Sequence, residues 1–176
     1  MAMSDSLYEE PQAPAPAAKS KPAAKQNTVL DRLKDTISKK VERPVVLLEV
    51  PSREGVYLRI SPNITQQQLK AWRRNSGEDS KNGLDATKFA CYVVGSTTVG
   101  IEFDEEEVFD ADGYPLNFAS QVVLDMTDAQ RPVPDAVRAF FGTDPHLEAA
   151  ALAILDAAGY SDTVDLVDPT KTPSKS

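Results

Sequence analysis

Leu30, Leu33, Ile37 and Val41 recur at intervals of three and four, so a helix over residues 28–42 would carry all four on one face. Asp31 stands near its start and Lys39 and Lys40 near its end, the order favoured by the helix dipole, and Pro44 stops it. The period then changes. Val45, Val46, Leu47, Leu48, Glu49 and Val50 form one branched apolar run, and Val56, Tyr57, Leu58, Arg59 and Ile60 form another. Ser52, Arg53, Glu54 and Gly55 between them predict a β-hairpin.

Thr65 and Gln68 have the spacing of a capping box, with Ile64 and Leu69 at the hydrophobic-staple positions, so a helix begins at Thr65. Leu69 and Trp72 share a face of this short basic helix, Lys70, Arg73 and Arg74 project elsewhere, and Gly77 can close it in a left-handed conformation. After an Asn82-Gly83 turn, Asp85 caps a segment through Phe89 and Val94 whose length and cap favour a helix over the strand suggested by its β-branched end. Val99 to Phe103 alternates as a strand, residues 107–109 can pair back on it, and Asp112-Gly113 supplies a turn.

Three further helices are predicted: residues 119–125, residues 135–141 capped by Asp135, and a last one with Asp144 as N-cap and Pro145 at the first position. The apolar face of the last is Leu147, Ala151, Ile154, Leu155 and Ala158, and Gly159 closes it. Strands and helices in mixed order, without an internal repeat, predict an α+β fold of mostly short helices with one or two β-hairpins. The Ala-, Pro- and Lys-rich residues 1–27 and the polar residues 161–176 bury too little to offset the entropy of ordering. They are expected to be disordered tails around a single domain at 28–160.

Composition narrows the function more than the fold. The 176 residues carry a formal charge of −8, which disfavours nucleic acid and anionic lipid as main partners. One cysteine, Cys91, excludes an internal disulfide framework and any cysteine-based zinc cluster, and fits a reducing compartment. No apolar run is long enough to span a membrane, and the first residues lack the apolar block of a signal peptide.

Chemistry is sparse. His146 is the sole histidine, in the first turn of the last helix, and reads as a partly exposed residue. Ser96, Thr97 and Thr98 follow Gly95 without the lysine and glycines of a phosphate loop or the elbow of a nucleophile. Asp104, Glu105, Glu106 and Glu107 lack the alternating ligands of a calcium loop and read as a solvated hairpin tip. Cys91 reads as a small buried hydrophobe. No catalytic residue, metal or cofactor is therefore expected, and the chain reads as a protein-binding domain.

Two features suggest the binding surface: Trp72 among Lys70, Arg73 and Arg74, because Trp and Arg anchor many interfaces, and the Phe140–Phe141 pair beside Val137. Leu69, Trp72, Arg73, Phe140 and Phe141 are the candidate protein-binding residues. Packing of Trp72 and the two phenylalanines into the core is the competing reading.

The run Ile60-Ser61-Pro62-Asn63-Ile64-Thr65-Gln66-Gln67-Gln68-Leu69-Lys70-Ala71-Trp72-Arg73-Arg74, then Lys88-Phe89-Ala90-Cys91, resembles the tail assembly chaperones of long-tailed actinobacterial phages. Later stretches continue the likeness in order: Asp112-Gly113-Tyr114-Pro115-Leu116-Asn117-Phe118-Ala119-Ser120, Pro134-Asp135-Ala136-Val137-Arg138-Ala139-Phe140-Phe141-Gly142, Ala157-Ala158-Gly159-Tyr160 and Asp168-Pro169-Thr170. The resemblance covers residues 44–170. It implies a non-structural helper in the host cell cytoplasm, not expected in the mature virion, that coats the tape measure protein and helps recruit the major tail (tube) protein. It also implies self-association or a frameshifted longer isoform as further possibilities.

Three other classes compete. A structural or scaffolding-type virion assembly protein could share an acidic domain with tails. A nucleic-acid mimic would need regular acidic rows, which Phe103, Val108, Phe109 and Tyr114 interrupt. A hydrolase would have to assemble its site from scattered carboxylates such as Asp104 and Asp125.

Overall fold

The computed structural model describes residues 28–161, so the predicted tail 1–27 and, apart from Ser161, the predicted tail 161–176 lie outside the described residues. The chain divides into two units, residues 1–41 and residues 42–176.

The first unit contributes α1 (Val29–Ser38). Thr28 and Asp31 form a capping box at its start, with the Thr28 side chain accepting from the Asp31 amide and Asp31 accepting from the Thr28 amide. The helix stops sooner than its apolar period suggests. Lys39 is already extended at φ −69° and ψ 123°, so Lys39, Lys40 and Val41 lie beyond it. Near that end Thr36 donates its hydroxyl to the Arg32 carbonyl and Ser38 donates to that of Asp35. Such local bonds compete with helical pairing. None of the residues in α1 is buried, which leaves the last turn without tertiary support.

In the second unit β1 (Val46–Glu49), β2 (Val56–Ile60), β3 (Thr98–Phe103) and β4 (Glu106–Glu107) form an antiparallel sheet in sequence order, with β1 and β4 at its edges. Leu48 opposes Leu58, and Leu58 opposes Ile101, so their side chains share one face and enter the core. The opposite face carries an ion pair instead. Arg59 reaches Glu102 at 2.7 Å and Glu107 at 3.5 Å, and these contacts hold the guanidinium pKa above its ordinary value. Asp104 and Glu105, at φ 48° and 68°, make the tight turn into β4 and form the predicted acidic tip.

Between β2 and β3 lie α2 (Gln66–Asn75) and α3 (Ala86–Thr97). The Thr65–Gln68 capping box forms as predicted, and Gly77 beyond the end of α2 is left-handed at φ 88°. Asp85 accepts from the Lys88 amide, which settles the ambiguous segment as a helix. After β4 come α4 (Gln121–Thr127), an irregular turn over Pro132–Ala136 kinked at Val133, α5 (Val137–Phe141) and α6 (Asp144–Ala157). With α1 the described residues hold six helices and a four-stranded antiparallel sheet, the α+β class that the sequence predicts.

Three predicted helix starts shift for local reasons. Ala119 lies outside α4 because its amide donates to the Asn117 side chain, forming a turn before Ser120. Asp135 does not cap α5, since its carboxylate takes two hydrogen bonds from Arg131 at 2.9 and 3.1 Å. Asp144 is the first residue of α6, with Thr143 in the cap position, because Asp144 accepts both arms of the Arg138 guanidinium.

The buried residues of sheet and helices join in one apolar cluster, including Leu58, Ile60, Trp72, Cys91, Val93, Phe118, Val137, Phe141, Leu147 and Ile154. Here α3 packs against α6 and against the 132–136 turn. Gly95 permits that close approach: a Cβ there would stand 2.6 Å from Cγ2 of Val133 and 3.0 Å from Cγ2 of Val137. Alanine in a helix normally gains about 1 kcal/mol over glycine, whereas overpacking a core costs about 1–3 kcal/mol. Gly95→Ala should therefore lower stability by up to about 2 kcal/mol in urea denaturation, and a stabilised variant would contradict this packing.

Candidate protein-binding surface

The five residues singled out by sequence fall on two helices and into three environments. Trp72 is 7 % exposed and Phe141 fully buried, so both belong to the core and not to a docking face. The physical reason is local. Trp72 lies on the inner side of a ten-residue helix that has no other buried residue, and Phe141 ends a five-residue helix in which Val137 and Phe141 are the buried residues. Leu69 and Phe140 are partly buried and Arg73 is exposed, pairing with Glu78 at 3.1 Å.

Phe140 packs edge-on against Phe118, with ring centroids 5.3 Å apart and planes at 86°. It lines a shallow depression with Arg53, Val56, Met126, Thr127 and Ala139. Arg53 crosses from the β1–β2 turn to donate to the carbonyls of Phe140, at 3.1 Å, and Ala139, at 3.4 Å, while the Ser52 hydroxyl donates to that of Phe141. The hairpin thus satisfies carbonyls that the end of α5 leaves without helical partners. That surface is fastened to the fold by hydrogen bonds.

Leu69 and Arg73 line a different feature, an apolar groove with Leu84, Phe89, Leu155 and Tyr160. It continues along α6 into a depression of about 530 Å³ that shares Leu155 and Tyr160 and adds Leu152, Ala153, Asp156 and Ser161. Leu152 is 68 % exposed and Leu84 40 %, a large apolar area to leave open to solvent. Tyr160 forms the corner. Left-handed Gly159, at φ 85°, turns the chain back, so that the Tyr160 amide donates to the Leu155 carbonyl and its hydroxyl donates to that of Ile64 at 3.1 Å.

Comparison with protein-family models, with known proteins and with solved structures finds no match. The chemistry of the surface must therefore be read from its own residues. Among the described residues no group of three or more His, Cys, Asp or Glu is placed to hold a metal ion, and no helix is long and apolar enough to cross a membrane. Cys91 lies fully buried, and burial pushes its thiol pKa up to about 12. A thiol in that state is a poor nucleophile.

Sequence reasoning reached Leu69 and Arg73 but missed Leu84, Phe89, Leu152, Leu155 and Tyr160 as one surface. With Leu69 and Arg73 on α2, they come from the loop before α3, α3 itself, α6 and the turn after it, which only the tertiary fold assembles. One trace was available in the sequence. Leu152 lies off the apolar stripe of the last helix, where a solvated face would ordinarily carry a polar residue.

Proposed function

We propose that this chain is a phage tail assembly chaperone, a helper without enzymatic activity whose groove along α2, α3 and α6 receives apolar helical segments of the tape measure protein. The observation that carries the reading is the continuous apolar floor of Leu69, Leu84, Phe89, Leu152, Leu155 and Tyr160, open to solvent on an acidic protein. Amphipathic helices dock in grooves of this kind through apolar side chains at spacings of three and four. The resemblance of residues 44–170 to that chaperone family supports the choice of partner, and the net charge of −8 would keep the coated complex soluble. On this reading the protein acts in the host cytoplasm, assists recruitment of the tube protein and is absent from the finished particle.

Leu84→Asp and Leu152→Asp test it, because both side chains are exposed and neither supports the core. Each variant should fold normally yet bind a co-expressed tape measure fragment more than tenfold more weakly and leave that fragment insoluble. Unchanged solubility and affinity in both variants would refute the groove as the docking face. Mass spectrometry of purified particles separates the chaperone from a scaffolding or structural component, which would be present in many copies.

A further inference from the structure

One rim of the groove is charged opposite to the molecule as a whole. The chain has 27 acidic against 19 basic side chains, yet α2 holds Lys70, Arg73 and Arg74 and no carboxylate anywhere in its length. At 3.6 residues per turn Arg73 lies beside Leu69 on the helix surface, with Lys70 next to it and Arg74 beyond, on the side turned away from buried Trp72. All three cations are exposed. Among the described residues Arg73 pairs with Glu78, and Lys70 and Arg74 have no ion-pair partner. The dipole of α2 favours cations in its last turn, where Arg73 and Arg74 stand, but Lys70 lies before it. Charge also changes sign along the groove: Arg73 lines the depression that holds Leu69 and Leu84, whereas Asp156 lines the one that holds Leu152 and Ala153.

We propose that the helix received by this groove carries carboxylates on the flank of its apolar stripe that passes α2, so that Asp or Glu side chains meet Arg73 and Lys70 while the stripe sits on Leu69, Leu84 and Leu155. Lys70 and Arg73 stand one turn apart, a spacing matched by two carboxylates one turn apart on a helix laid alongside. Glu78 marks the place of the incoming group. It already draws the Arg73 guanidinium to 3.1 Å, and both side chains are about half exposed, at 49 % and 42 %, so a carboxylate of the docked helix replaces it at little cost. A helix with lysines on that flank meets like charge and is disfavoured, which makes the rim a selector among helices of equal hydrophobicity. This rests on the groove being the docking face proposed above.

The test uses the full chain and two designed helical peptides with the same stripe of leucines at spacings of three and four, one bearing glutamates and the other lysines along one flank. At roughly 0.15 M salt, where the net charge is screened beyond about 8 Å, titration calorimetry should show the glutamate peptide binding about fivefold more tightly, against the attraction of an acidic protein for lysine. The gap should close in roughly 1 M salt. Lys70→Glu with Arg73→Glu should reverse the preference, and Lys70→Gln with Arg73→Gln, which adds no repulsion to the fold, should abolish it. Equal binding of the two peptides to the parent chain would overturn the proposal, as would a preference that survives the glutamine pair. Leu84→Ser with Leu152→Ser should weaken both peptides alike. If that variant weakens both but the parent binds them equally, charge selection alone fails; if neither peptide binds the parent, the docking face fails with it. Attachment to vesicles of anionic lipid that is lost in the glutamine pair would also overturn the proposal, by assigning the rim to a membrane surface.

Discussion

Phe141→Ala should destabilise the folded unit by about 3–5 kcal/mol, whereas Phe140→Ala, its neighbour in sequence, should cost roughly 1–2 kcal/mol. The two residues differ in surroundings and not in chemistry. Phe141 is wholly buried in the central cluster, so truncation leaves a cavity that the close-packed walls cannot fill. Phe140 is only partly buried and loses mainly its edge contact with Phe118. A five-residue helix cannot hold itself together, so α5 depends on Val137 and Phe141 below and on the Arg53 and Ser52 hydrogen bonds above. In a thermal melt the Phe141 variant should lose roughly 10–20 °C. Equal losses in the two variants would contradict the placement of Phe141 as core and Phe140 as margin.

Cys91 gives the second large effect. Its thiol pKa is pushed from 9.0 to about 12, chiefly by burial, so at pH 8 the thiolate is about a thousandfold rarer in the folded protein than in the unfolded chain. Alkylation by iodoacetamide should be slower in the folded protein by at least that factor, and urea should restore the ordinary rate. The same shift sets the pH dependence. Below pH 9 both states keep the proton and the thiol's contribution to stability is fully present. As pH rises from 9 toward 12 the unfolded thiol ionises and the folded one does not. The unfolded state then binds fewer protons, and stability falls by up to about 1.4 kcal/mol per pH unit from this group. Cys91→Ala should remove that part of the alkaline loss, which parallel urea titrations at pH 8 and pH 10 would measure. Rapid labelling of the native protein would exclude the buried, protonated thiol.

The elements legible in the sequence were those whose cause is local. The Thr65–Gln68 box and the Asp85 cap each act within one helical turn, and both helices start where those residues place them. Asp135 and Asp144 had the same appearance and behaved otherwise, because Arg131 and Arg138 offered their carboxylates a charged bidentate partner. A capping residue is thus readable only until a stronger donor reaches it. The core assignment of Trp72 and Phe141 follows a similar logic. Sequence showed aromatic residues beyond one narrow stripe, but which of them faced inward depended on helices as short as five residues, too short for a period to establish a face. The groove was least legible, since Leu69 and Leu155 become neighbours only through the packing of the helices that carry them.

The edges of the sheet bear on how this protein behaves in a crowded cell. At one margin β1 offers four residues between Pro44 and Pro51, and at the other β4 offers two glutamates. A strand arriving from another molecule would find too few free amides and carbonyls on the first side and would meet repelling carboxylates on the second. The margins of the sheet therefore offer no template for fibrous growth, even though apolar side chains lie open elsewhere on the surface.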